Sequence, residues 1–190
     1  MDDANPWTIV ADVARVLEAL GLRYAVGGSL ASSVAGEPRS TQDADISVDL
    51  RPEHVDALLD GLSARFYVPA ERLRRAASER LSVNIIHLDT AMKVDLFVAG
   101  GTPIDEEVLR RRVPFSPPSA AHVLYIYTPE DVLLHKLRWY QHAGATSDRQ
   151  WRDIVGIIRV QGPALDRGYL RRSADTLGVS ELLARAFAET

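Results

Sequence analysis

The 190-residue chain contains no cysteine. That absence excludes disulfides, zinc–thiolate centres and thiol nucleophiles, and it suits a reducing compartment. Long apolar runs are also missing, so no stretch approaches the roughly 20 residues that a membrane-spanning helix requires. Met1 to Trp7 contain Asp2 and Asp3 and no basic segment leading an apolar run, which does not resemble a secretory leader. A cytoplasmic protein without a membrane partner is expected. Charge of one sign is not in large excess either: 22 basic residues meet 26 acidic ones, a formal charge of −4, which excludes a general nucleic-acid coat. Walker-loop, His-Glu-x-x-His and serine-elbow motifs are absent as well.

Hydrophobic residues make up 46% of the chain, enough to bury a core and far from the composition of disordered segments. The length fits one domain, or one domain with a helical appendage. Charge is uneven along it. Residues 1–60 hold 11 acids and 4 bases, whereas the remainder holds 15 acids and 18 bases. This would suit metal ions at one end and phosphates at the other, although solvated helix faces give the same asymmetry.

Periodicity supplies the elements. Val10, Val13, Val16, Leu17 and Leu20 share a helical face, and Gly21 stands where a C-terminal cap belongs. Arg23 to Val26 reads as a strand closed by Gly27 and Gly28, after which Ser29 is expected to cap a helix reaching about Val34. Ala44 to Val48 alternate with acids as a second strand, and Pro52 opens a helix carrying Val55, Leu58, Leu59 and Leu62. Phe66 to Val68 reads as a short strand and Glu71 to Arg80 as an arginine-rich helix or loop. Val83 to Leu88 and Met92 to Val98 form a hairpin pattern. Asp105 to Arg112 is a charged helical turn, and Pro114, Pro117 and Pro118 suggest an irregular connection. A strand at 123–127 precedes Thr128-Pro129-Glu130-Asp131, a capping sequence for a helix to about His142. Further helices are expected over 148–160 and within 170–188. Together these predict an α/β (α+β) fold: a small mixed, partly antiparallel sheet flanked by helices in residues 1–127, and a helical part in 128–190 that completes a cleft.

The chemistry concentrates in Gly27-Gly28-Ser29 and Asp43-Ala44-Asp45. Residues two apart on a strand face the same way, so two carboxylates project together, an arrangement that repels itself unless cations neutralise it. A glycine turn before a helix offers unpaired N–H groups and the positive end of the helix dipole to phosphate oxygens. Fourteen residues separate the two, enough for a helix and a return. Asp95 lies in the otherwise apolar run Lys93-Val94-Asp95-Leu96-Phe97, where a charge needs a partner or an aqueous site. Beside the first pair, three carboxylates would suit two divalent ions, with Asp95 as base for an incoming hydroxyl. Each signal also has a plainer origin. A glycine pair is often only a turn, alternate aspartates are often a solvated face, and Asp49 continues their parity with no role required.

Gly28-Ser29, Asp43-x-Asp45 and Asp95, in these strand contexts, resemble the nucleotidyltransferases of the DNA polymerase beta-like superfamily. Thr128 to Arg138, followed by Asp148-Arg-Gln-Trp-Arg152-Asp153-Ile, resembles the small bacterial AbiEii-type branch, whose members include toxins of toxin–antitoxin pairs. The resemblance spans roughly residues 23–160. It implies transfer of a nucleoside monophosphate from a nucleoside triphosphate to an acceptor hydroxyl on RNA, protein or a small molecule. Asp43, Asp45 and Asp95 would serve with Mg²⁺ or Mn²⁺, and Gly28, Ser29, Arg39 and Lys136 would hold the nucleotide. An antitoxin partner is a further implication. Lys136 otherwise reads as a solvated helix lysine, and Asp153 matches the branch's downstream acid. Gly156 departs from the pattern, since an acid would be comfortable there. Arg39 stands only loosely where the branch has an arginine. Two other readings share the fold: an inactive nucleotide- or partner-binding module, and a transferase acting on a small hydroxylated antibiotic.

Overall fold

A computed structural model describes residues 5–100, 102–118 and 122–190. Chain order is α1 (Pro6–Ala19), β1 (Tyr24–Val26), α2 (Gly28–Ala35), β2 (Asp43–Val48), α3 (Val55–Leu62), β3 (Phe66–Tyr67), α4 (Ala70–Glu79), β4 (Ser82–His87), β5 (Lys93–Val98), α5 (Pro103–Arg111), β6 (Val113–Phe115), β7 (Leu124–Ile126), α6 (Pro129–His142), α7 (Asp148–Gln161), α8 (Arg167–Leu177) and α9 (Ser180–Ala188). Short 3-10 turns at Pro52–His54 and Gly162–Ala164 precede α3 and follow α7. The expected α/β class with a mixed sheet is what the chain forms. Its internal contacts fall into two compact units, residues 1–27 with 41–126 and residues 28–40 with 127–190.

The first unit holds the whole sheet, ordered β3-β4-β5-β2-β1-β7-β6. β1 runs parallel to β7 and β2 parallel to β5, while the remaining neighbours are antiparallel. Alternation decides which face is covered. Ala44, Ile46 and Val48 of β2 and Val94, Leu96 and Val98 of β5 are buried, whereas the residues between them are exposed or half-buried. α1 packs on β2 and α4 on β4. α1 begins at an Asn5 cap, whose side chain accepts the Trp7 N–H at 2.9 Å, with Pro6 in the first turn. It ends as expected at Gly21 (φ +68°): the Leu22 N–H reaches Leu17 O and the Gly21 N–H reaches Glu18 O, both at 2.9 Å.

Two expectations change. The proline-rich stretch is not wholly irregular: Val113–Phe115 pairs antiparallel with β7 as the outermost strand. Pro114 lacks a donor, and an edge strand is where a sheet tolerates that. Ser29 does not cap α2, because the helix starts one residue earlier, at Gly28.

The second unit is helical throughout its described residues. α6 contacts α2, α7 and α8, and α7 contacts α2 and α9. The Thr128 cap forms as the sequence predicts, with its hydroxyl accepting the Asp131 N–H at 3.3 Å. Asp131 is fully buried and accepts the Tyr169 hydroxyl at 2.6 Å, which ties the start of α6 to α8. α2 meets α7 at very short range. A Cβ added to Gly36 would lie 3.0 Å from the Ile157 backbone nitrogen and 3.2 Å from Gly156 C. Glycine is therefore required by proximity at position 36.

Candidate active site

β2 carries Asp43 and Asp45 on the accessible face of the sheet, as two-residue spacing dictates. The register supplies what spacing alone cannot. Asp45 stands directly opposite Asp95 on the parallel neighbour β5, and Asp43 stands opposite Lys93. Asp95 in turn faces Asn84 across the antiparallel β4. Neighbouring strands lie about 4.8 Å apart. A polar row, Asn84–Asp95–Asp45, therefore crosses three strands on a face whose opposite side is apolar core. The Gly27 N–H anchors the next strand over by donating to Asp45 O at 2.8 Å.

Local hydrogen bonds orient two of the acids. Asp43 Oδ1 accepts the Thr41 hydroxyl at 2.6 Å, and Asp95 Oδ1 accepts the Asn84 side-chain amide. Asp49, next in the β2 alternation, is engaged otherwise: its carboxylate accepts from Arg23 Nη2 at 2.7 Å, and that hydrogen bond raises the guanidinium above its ordinary pKa. The parity that continues to Asp49 thus ends in an ion pair. Carboxylate oxygens and an amide oxygen are hard donors, a set that fits Mg²⁺ or Mn²⁺. Among the described residues, no three carboxylate or imidazole side chains are grouped closely enough to form a ready-made metal centre.

The residues expected to hold nucleotide lie in the second unit. Gly28 opens α2 with φ +55°, a left-handed conformation that glycine adopts without cost. Ser29, in the first turn, accepts from Arg39 Nη2 through its hydroxyl. Arg39 also donates from Nη2 and Nε to Asp153 Oδ2 at 3.2 and 3.3 Å. Lys136 of α6 donates to the same oxygen at 2.7 Å. Arg39 and Lys136, far apart in sequence, therefore converge on one carboxylate, and Ser29 joins them through Arg39.

That convergence revises the reading of Lys136 as a solvated lysine. Its side chain is 9% exposed, and Asp153 is 10% exposed. A buried ammonium needs a counter-charge, and Asp153 supplies it. The sequence offered Asp153 only as a downstream acid without a defined role; its place between two cations defines one. At Gly156 the missing side chain leaves room for another residue. A Cβ there would touch Glu37 Cγ at 3.4 Å, so a glutamate from the α2–β2 loop lies over the spot where an acid was expected on α7.

Two of the histidines are packed into the fold. His87 is fully buried and contacts the Thr90 hydroxyl at 2.9 Å, while the His135 ring meets Tyr127 edge-on with centroids 4.9 Å apart. Trp151 packs on Tyr140 with ring centroids 5.1 Å apart. Among the arginines of the 72–80 cluster, Arg74 pairs with Asp56, Arg75 with Glu79, and Arg80 donates to Ala99 O.

No protein-family model matches the sequence, and no curated protein matches it. Solved structures do match. An antigenic nucleotidyltransferase-like protein from Paracoccidioides brasiliensis superposes with TM-score 0.56 at 19% identity, covering 94% of this chain and 90% of that one. The antibiotic-resistance factor ANT(2'')-Ia in solution gives TM-score 0.54 at 12% identity, over 96% of this chain and 92% of its own. The crystal structure of ANT(2")-Ia in complex with adenylyl-2"-tobramycin gives 0.55 at 12% identity, over 90% and 95%. At these identities the likeness establishes architecture: the chain has a nucleotidyltransferase-like fold along nearly its whole length.

Proposed function

We propose that the chain is a metal-dependent nucleotidyltransferase that moves a nucleoside monophosphate from a nucleoside triphosphate to an acceptor hydroxyl. The observation that carries this reading is the cross-strand register of Asp45 with Asp95, two residues from Asp43 on an accessible sheet face. Like charges at such spacing are unfavourable unless a cation joins them. Asp43, Asp45 and Asp95 would hold Mg²⁺ or Mn²⁺, which supplies charge neutralisation at the transferring phosphate. Asp95 accepts the proton of the acceptor hydroxyl, whose oxygen forms a bond to the α-phosphorus. The bond from that phosphorus to the bridging oxygen breaks, and pyrophosphate leaves. Gly28, through its backbone, and Ser29, Arg39 and Lys136, through their side chains, hold the triphosphate.

The acceptor is RNA, protein or a small molecule. The fold shared with ANT(2")-Ia, which is seen in complex with adenylyl-2"-tobramycin, favours a hydroxylated antibiotic; the AbiEii-like stretch from Thr128 favours a cytoplasmic toxin with an antitoxin partner. Resistance of expressing cells supports the first, and growth arrest relieved by a neighbouring gene's product supports the second. One competing reading of the same fold is an inactive nucleotide-binding module. Purified protein with each labelled triphosphate, Mg²⁺ and cell extract separates these readings. Label on an acceptor with pyrophosphate release supports transfer, whereas nucleotide binding without release rejects it for the inactive module.

A further inference from the structure

Arg39 lies on the loop that leaves α2, yet its guanidinium contacts are specific, and the structure shows what holds the loop still. The Ser33 hydroxyl accepts the Arg39 backbone N–H at 3.3 Å. Its single proton is shared between Ser29 O at 3.0 Å and Arg39 O at 3.2 Å. One side chain therefore pins both backbone polar groups of Arg39 to the first turn of α2, where Ser29 also lies. Three residues further on, Gly36 brings the loop onto α7 so closely that any side chain there would meet the backbone of Ile157. The far end of Arg39 is held by Asp153 on the same helix.

We propose that Ser33 is a positioning residue for Arg39, with the Gly36 seat on α7 as its second support. Ser33 has no role in touching phosphate; it fixes the backbone from which the guanidinium is aimed. This rests on the proposed phosphate role of Arg39 and adds the device that makes that role specific. A long side chain on an untethered loop would lose rotamer and backbone freedom on each binding event, and a tethered one loses less.

The test uses the full chain and inorganic tripolyphosphate, a probe independent of the base. Ser33→Ala weakens tripolyphosphate binding about tenfold by calorimetry, the size expected for one lost orienting hydrogen bond. Ser33→Thr, which keeps the hydroxyl, restores it. In an Arg39→Ala background, Ser33→Ala has no further effect. The Arg39 Nε–H resonance, which reports the bond to Asp153, shifts in Ser33→Ala and in Gly36→Ala and returns in Ser33→Thr. An equal loss of affinity from Ser33→Ala with and without Arg39, or an unmoved Nε–H resonance, overturns the inference. Should Arg39→Ala itself leave tripolyphosphate affinity unchanged, the phosphate reading of Arg39 fails, while a displaced resonance in Ser33→Ala still upholds the positioning role.

Discussion

The acidic row on the sheet and the ion cluster among the helices solve opposite electrostatic problems. On the sheet, Asp45 and Asp95 stand side by side in register, where the Asn84 amide donates to Asp95 and the Thr41 hydroxyl to Asp43. In the helical unit, Asp153 is enclosed by two cations on one oxygen. The first arrangement sets two carboxylates side by side; in the second, two cations share one carboxylate oxygen. The comparison separates an aspartate proposed for chemistry, Asp45, from one whose ion pairs lie within the fold, Asp153.

The sharpest way to break that contrast is to neutralise one acid from each region. Asp45→Asn should lower turnover roughly 1,000-fold. Its fold should stay intact, because asparagine keeps the shape of the aspartate it replaces. Asp153→Ala should behave inversely in stability, leaving buried Lys136 without this counter-ion and costing about 3–5 kcal/mol. Chemical denaturation measures both, and a stable Asp153→Ala protein would sink the assignment of Asp153 as the cluster's counter-ion. A smaller effect sharpens the first region. Asn84→Ala should lower turnover about tenfold with triphosphate affinity unchanged, since the amide orients Asp95 without touching nucleotide. A matching loss of affinity would instead place Asn84 in the binding surface.

The smallest effect concerns pH. Glu189 accepts from the Trp151 indole N–H at 2.7 Å and from Arg185 at 3.0 Å, and the indole first, then the guanidinium, hold its carboxyl below the usual range. A lowered pKa means the contact contributes fully above the unfolded value and is lost only as pH falls through the lower, folded value. In Glu189→Gln, the difference in melting temperature from the parent should therefore be present at neutral pH and shrink on acidification below the ordinary glutamate range. A difference that grows on acidification would contradict the sign.

Much of this architecture is written in local pattern. Alternation in Asp43–Val48 and Lys93–Val98 fixes which residues face the core, and Thr128-Pro129 marks the start of α6, because caps and periodicity are local physics. Strand pairing is not local. Nothing in the sequence near Asn84 announces that it will stand opposite Asp95, since that depends on register between β4 and β5. Lys136 shows the same limit on a helix: periodicity gives its face but not Asp153, 17 residues away on α7, which turns a surface residue into a buried one. Pro114 concealed an edge strand because its missing donor argues against strand in general and not against the outermost position.

The path of the chain between the two regions has a practical consequence. Residues 28–40 belong with the helices that follow residue 127, so the helical unit is assembled from two stretches separated by most of the sheet. A fragment cut at the sheet's last strand would carry α7 with its Gly156 hollow uncovered and Asp153 deprived of Arg39. Dissecting this protein by simple truncation would therefore yield a misfolding-prone remnant, because the helical unit needs both of its stretches.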